Sequence, residues 1–198
     1  MLAETIKTDY PKVEKIFTLH EYLAREERSA YKHEFHNGQI TRMSGGTLHH
    51  NLIATNVTGL LFVAVNQNDL PFTILNSDQK IYIATLNKVL YADVLVVYEL
   101  PETHEASNDL LTNPILIVEV ASRSTKNYDR GEKFMYYRML PSLKEYVLIA
   151  QDKPQVETFY RERANTWDIQ TETNLKSDVL FRSLDLTIPL TKIYKGIY

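Results

Sequence analysis

Two acids stand inside apolar, strand-like runs. Asp93 lies in YADVLVVY, and Glu119, 26 positions later, lies in LIVEVAS. A carboxylate buried in a strand is unfavourable by several kcal/mol unless a cation or hydrogen bonds compensate it. Two such acids on neighbouring strands also repel each other. A shared divalent cation removes both penalties. Mg2+ takes oxygen ligands at about 2.0–2.1 Å and keeps several waters; Mn2+ accepts the same kind of donor. Two carboxylates and a backbone carbonyl, such as that of Val120, leave positions for a phosphate oxygen and an attacking water. That donor set suits phosphodiester hydrolysis, because the ion lowers the pKa of water and neutralises charge growing on the phosphoryl oxygens.

A base beside such an ion would hold the nucleophile and offset the same charge. Lys133 stands one helix beyond Glu119, with Arg130 three positions before it and nearly on the same helical face. Residues 123–138 contain five bases, Arg123, Lys126, Arg130, Lys133 and Arg138, against the two acids Asp129 and Glu132. This local excess fits contacts to a phosphate backbone by Arg123, Lys126 and Arg130. Each residue also has a plainer reading. Asp93 can be a strand-end acid facing water, and Lys133 and its basic neighbours a solvated helix face. Glu119 resists that reading because apolar residues flank it on both sides, and the pair in these two frames favours a site. His33 and His36 lack a metalloprotease-like HExxH spacing, and His49 and His50 follow a capping threonine; surface roles are expected for all four. Tyr136, Tyr137 and Tyr146 read as core or rim. There is no GxxxxGK[ST] loop and no GxGxxG fingerprint.

The elements that must position these groups follow from local signals. Thr18 and Glu21 form a capping-box pattern ahead of a helix to about Ser29. Asn37-Gly38 predicts a type I′ hairpin turn. Thr47 caps a second helix to about Asn66, with Ile53, Val57, Leu60, Leu61 and Ala64 on one face. Strands are expected over 72–75, 80–84, 91–98, 115–121, 145–150, 155–160 and 166–171, and a helix over 127–139, stopped before Pro141. Residues 100–113 read as a loop, and the tail LDLTIPLTKIY as cover for a sheet edge. The order predicts an α/β fold with a mixed central sheet flanked by helices. Residues 1–17 read as a loose lead-in and 18–198 as a single domain.

At 198 residues, 44% hydrophobic and 24% charged, the chain is ordinary for a globular protein. With no cysteine, disulfides and thiolate metal sites are excluded. The longest unbroken apolar run, residues 60–65, is far short of a bilayer span, and the N-terminus has no signal-peptide core; the expectation is a cytoplasmic protein without membrane contact. A net charge of −3 argues against coating nucleic acid by charge alone, so a local patch must supply any such contact.

YADVLVV, ILIVEVASRSTKNYDRGEKFMYY, SLKEYVLIA and YKHEFHNGQITRMSGGTLHHNLI together resemble the restriction endonuclease family often called Uma-two, a branch of the PD-(D/E)XK nuclease superfamily. The resemblance runs from about residue 18 to 190. It implies a restriction-endonuclease-like fold, Mg2+-dependent cleavage of DNA and a homodimer. By position, Asp93 and Glu119 take the two acidic places of the motif, and Glu34 that of an accessory metal or water ligand. Lys133 resembles a lysine that has moved from the strand into the following helix. Ser122, Thr125 and Asp129 fall in a shared stretch, His50 on a histidine early in the second helix, and Asp78 on a recurring acid. Ala92 replaces the usual proline before the aspartate. Ala121 stands where a standard member has lysine, so the site is complete only if Lys133 reaches it. Two rival readings remain: a non-catalytic nucleic-acid-binding or assembly module on the same fold, and a hydrolase of smaller phosphate esters.

Overall fold

The capping box expected at Thr18 is present in the computed structural model of the chain, which describes residues 15–122 and 125–198. Thr18 Oγ1 accepts the Glu21 N–H at 3.1 Å and Glu21 Oε2 accepts the Thr18 N–H at 2.8 Å, starting α1, Leu19–Glu26. Of the expected lead-in, residues 1–14 lie outside the described residues; Phe17 is docked, its N–H donating to the Gly38 carbonyl at 2.9 Å. Asn37 and Gly38 both have positive φ, 47° and 102°, as a type I′ turn requires, and join β1, His33–His36, to β2, Gln39–Arg42. A Cβ on Gly38 would come within 2.6 Å of Ile16 Cγ2, so glycine is needed there for space as well as for φ.

Helix α2, Leu48–Gln67, starts where Thr47 Oγ1 accepts the His50 N–H. Then come β3, Phe72–Asn76, β4, Lys80–Ile83, β5, Lys88–Tyr91, and β6, Val94–Tyr98. The single strand expected over 91–98 is therefore broken at Ala92-Asp93, where the chain leaves one sheet for another. The expected loop over 100–113 instead holds β7, Thr103–His104, and β8, Ser107–Leu111. Leu110 and Leu111 are buried at its end, and β8 runs parallel to β4; the polar residues before these leucines hide the strand from a pattern search.

Strand β9, Pro114–Ala121, leads into a helix built of α3, Lys126–Tyr128, a π-helical turn, Asp129–Lys133, and α4, Phe134–Tyr137. β10, Glu145–Ala150, β11, Val156–Arg163, and β12, Thr166–Glu172, follow. The chain closes with the hairpin β13, Asp178–Phe181, and β14, Leu186–Pro189, and the short α5, Leu190–Ile193.

Two six-stranded sheets result, ordered β2-β1-β5-β4-β8-β7 and β12-β11-β10-β9-β6-β3. In the second, β9 is parallel to β10 and antiparallel to β6. One face carries Val94, Val96, Leu116, Val118 and Val120 against Ile53, Val57 and Leu61 of α2. The other carries Leu95, Val97, Ile117 and Ala121 against Phe134 and Tyr137. Strand alternation puts Glu119 on this second face, between Ile117 and Ala121. The tail covers a face rather than an edge: Leu184, Ile188, Leu190, Ile193 and Tyr194 join the α2 side of the core. Among the described helices α2 alone has the length and apolarity to cross a membrane, but one stripe of it is buried in this core.

Candidate active site

Asp93 and Glu119 meet through strand register. Leu95 lies opposite Ile117 and Val94 opposite Val118, so one further step sets Asp93 opposite Glu119. The pairing continues past the end of β6. The Asp93 N–H donates to the Val118 carbonyl at 3.2 Å, and Asp93 Oδ2 accepts the Val120 N–H at 2.7 Å. A side chain thus replaces a backbone partner at the strand break. Asp93 Oδ2 also lies 3.2 Å from His50 Nε2. His50 is therefore tied to the cluster, against the surface role expected for it. Its hydrogen bond to Asp93 raises its pKa, against the effect of burial.

Lys133 reaches the strand. Its Nζ lies 2.7 Å from Glu119 Oε1 and 3.7 Å from Glu34 Oε1, and Lys133 and Glu119 are each only 5% exposed. The π-helical turn sets this direction. Its wider turn brings Asp129 and Lys133 to one buried side. Arg130 does not share that side as expected: half of its side chain is exposed, and its Nε donates to Glu157 Oε1 at 3.0 Å. Lys126 is half-buried at the helix start, and Arg123 lies outside the described residues. Ser122 and Thr125 exchange hydrogen bonds, each backbone N–H donating to the other's hydroxyl at 3.0 and 3.1 Å.

Three neighbours of this pair carry roles that residue type alone concealed. Tyr137 is fully buried, as a core reading expects, yet its hydroxyl donates to Glu119 Oε1 at 3.0 Å. Tyr128 donates to Glu34 Oε2 at 3.1 Å. His36, expected at the surface, bridges Glu34 Oε2 at 3.2 Å and Lys88 Nζ at 3.0 Å. The available signal was spacing: Tyr137 stands four residues after Lys133, one helical turn on. His33 is also buried rather than superficial, 2.8 Å from Glu26 Oε2. Asp78 is exposed and pairs instead with Lys32 Nζ at 2.6 Å.

The electrostatics are those of a crowded acidic pocket around one amine. Burial raises the Glu119 pKa well above the carboxylate range, with Lys133 opposing. Burial also raises Asp129. Burial works against the Lys133 ammonium, but Glu119, Glu34 and Asp129 more than offset it and hold its pKa above the usual lysine value. Burial acts to raise Glu34 too, yet the His36 hydrogen bond and Lys133 leave it below the ordinary value. Three carboxylates, Glu119, Glu34 and Asp129, thus surround one buried ammonium, and oxygen donors in excess of positive charge are the set that Mg2+ or Mn2+ satisfies. Among the described residues no three His, Asp or Glu side chains already converge as metal ligands. Glu119 Oε1 is held by Lys133 and Tyr137, so a bound ion would share Glu119 with them. The donors fit such an ion in kind.

The arrangement is that of a mixed α/β fold with the acidic cluster at the ends of two neighbouring strands. A crystal structure described as "a putative nuclease belonging to DUF820" from Anabaena variabilis has the same fold, with a TM-score of 0.72 at 14% identity, over 90% of this chain and 97% of that one. Residues 19–189 match the family Uma2, described as "Putative restriction endonuclease", and the chain belongs to that family. Two uncharacterized proteins of Synechocystis sp. are similar to it. One, sll1609, is 37% identical over 153 residues, covering 77% of this chain and 85% of that protein. The other, slr1290, is 32% identical over 200 residues, covering 100% of this chain and 99% of that protein.

Proposed function

We propose that the protein is a Mg2+-dependent endonuclease hydrolysing phosphodiester bonds of DNA. The observation that carries this reading is the register that sets Asp93 opposite Glu119, with Lys133 Nζ 2.7 Å from Glu119. Asp93, Glu119 and the Val120 carbonyl would hold Mg2+, or Mn2+ in its place. When bound, such an ion lowers the pKa of water and neutralises charge on the phosphoryl oxygens. Lys133, kept protonated by the acids around it, orients the attacking water and donates to the phosphoryl oxygen as its charge grows. Glu34, held by His36 and Tyr128, positions that ammonium. Arg123, Lys126 and the exposed part of Arg130 contact the phosphate backbone. A homodimer would present one such site to each strand.

Supercoiled plasmid with Mg2+ tests the reading. The wild type should nick it, and Asp93→Ala or Glu119→Ala should lower the rate by about 10²-fold or more. Equal cutting by wild type and variants would mean a contaminating nuclease and would remove the assignment. The non-catalytic reading has one observation in its favour, that Lys133 and Tyr137 already occupy Glu119 Oε1. It predicts DNA retention without nicking and a melting temperature indifferent to Mg2+. Preferential hydrolysis of a small phosphodiester over duplex DNA would point to the small phosphate ester instead.

A further inference from the structure

Lys88 opens β5 directly across from His36 of β1 and is half-buried. Its Nζ lies 3.0 Å from His36 Nδ1 and 4.1 Å from the centre of the Tyr136 ring. An ammonium can only donate, so His36 Nδ1 is the acceptor. The proton of a neutral His36 is then on Nε2, which donates to Glu34 Oε2 at 3.2 Å. Glu34 in turn faces Lys133 at 3.7 Å. A continuous polar line, Lys88–His36–Glu34–Lys133, thus runs from the rim of the cluster to its buried pair.

The line uses only part of what Lys88 offers. One N–H is directed to His36, and the π face of Tyr136 attracts the charge. Among the described residues Lys88 forms no ion pair with a carboxylate; Glu34 and Glu132 act on it only as more distant charges. A partly desolvated cation held in a fixed direction beside a phosphodiester-cleaving site matches a phosphate oxygen, which lysine meets as a point charge. We propose that Lys88 contacts a backbone phosphate of the DNA strand bound at this site, its ammonium aimed by His36 and the Tyr136 ring. This rests on the endonuclease reading above and extends the phosphate-binding surface beyond the basic helix, onto β5.

The test is a salt series with a fluorescent DNA duplex and no divalent ion, comparing wild type, Lys88→Met, Lys88→Gln and Lys88→Arg. Methionine keeps the aliphatic stem beside Tyr136, and glutamine keeps a polar end. Both uncharged variants should bind several-fold more weakly at about 0.1 M salt and lose about 0.9 from the slope of log K against log salt, as expected for one lost phosphate contact. Arginine should retain both. In the nicking assay Lys88→Met should raise KM with little change in kcat. If wild type binds with a clear salt slope and both uncharged variants match it, the Lys88 assignment is overturned while the endonuclease reading stands. If wild type neither binds nor nicks, the endonuclease reading fails, and the Lys88 assignment falls with it.

Discussion

Lys133 and Glu119 meet at 2.7 Å with almost no exposure, and each is the other's main compensation for leaving water. Removing only one partner strands the other charge in a low-dielectric interior. Lys133→Met should therefore destabilise the protein by about 3–5 kcal/mol, read as a lower urea midpoint at unchanged m. The double variant Lys133→Met/Glu119→Gln should lose less than the sum of the two single changes, because neither member of this pair is left charged without the other. Additive losses would mean that the pair is not coupled. At this scale the two acids were legible because each interrupts an apolar run. Tyr137 and His36 were not, because a tyrosine at core spacing and a histidine beside a turn look alike whether or not a carboxylate faces them. Asp93 stood between: its type was visible, but its use as a backbone acceptor for Val120 N–H depends on where β6 ends.

Helix starts were the most legible elements, since a cap is a local hydrogen-bond pattern. Thr18 and Thr47 both open helices where their spacing predicts. The α1 cap also carries a pH signature. The Thr18 backbone N–H, then the Thr18 hydroxyl, hold the Glu21 pKa below its ordinary value of 4.5. A carboxylate with a depressed folded pKa contributes stability that is full above 4.5 and lost as pH falls through the folded value. Melting temperatures of wild type and Glu21→Gln should therefore differ most above that range and converge in stronger acid. A constant gap across the whole range would contradict this sign. The helix beyond β9 was foreseen as an element, but its π-helical turn was not. Nothing in DRGEK announces one, and it is this turn that separates Arg130 from Lys133.

The whole molecule is organised by two sheets joined at the Ala92-Asp93 break, with α2 and the C-terminal hairpin on one face of the second sheet and the 126–137 helix on the other. Phe181, in the hairpin that leads into the tail, has no exposure. Its replacement by alanine should destabilise the protein by about 3–5 kcal/mol, measured by chemical unfolding, as for an ordinary core phenylalanine. A loss below about 1 kcal/mol would fit an edge cover rather than a core element. The sequence by itself determined the α/β class, both capped helices, the hairpin turn, the buried β9 strand and the two acids. Caps, turns and apolar alternation are written in residues close along the chain, so they can be read there. Only the tertiary structure decided that Asp93 ends one strand opposite Glu119, that Lys133 turns inward and Arg130 outward, and that His36, Tyr128 and Tyr137 complete the cluster. Those outcomes depend on register between strands and on helix phase, which arise from packing between segments distant in sequence.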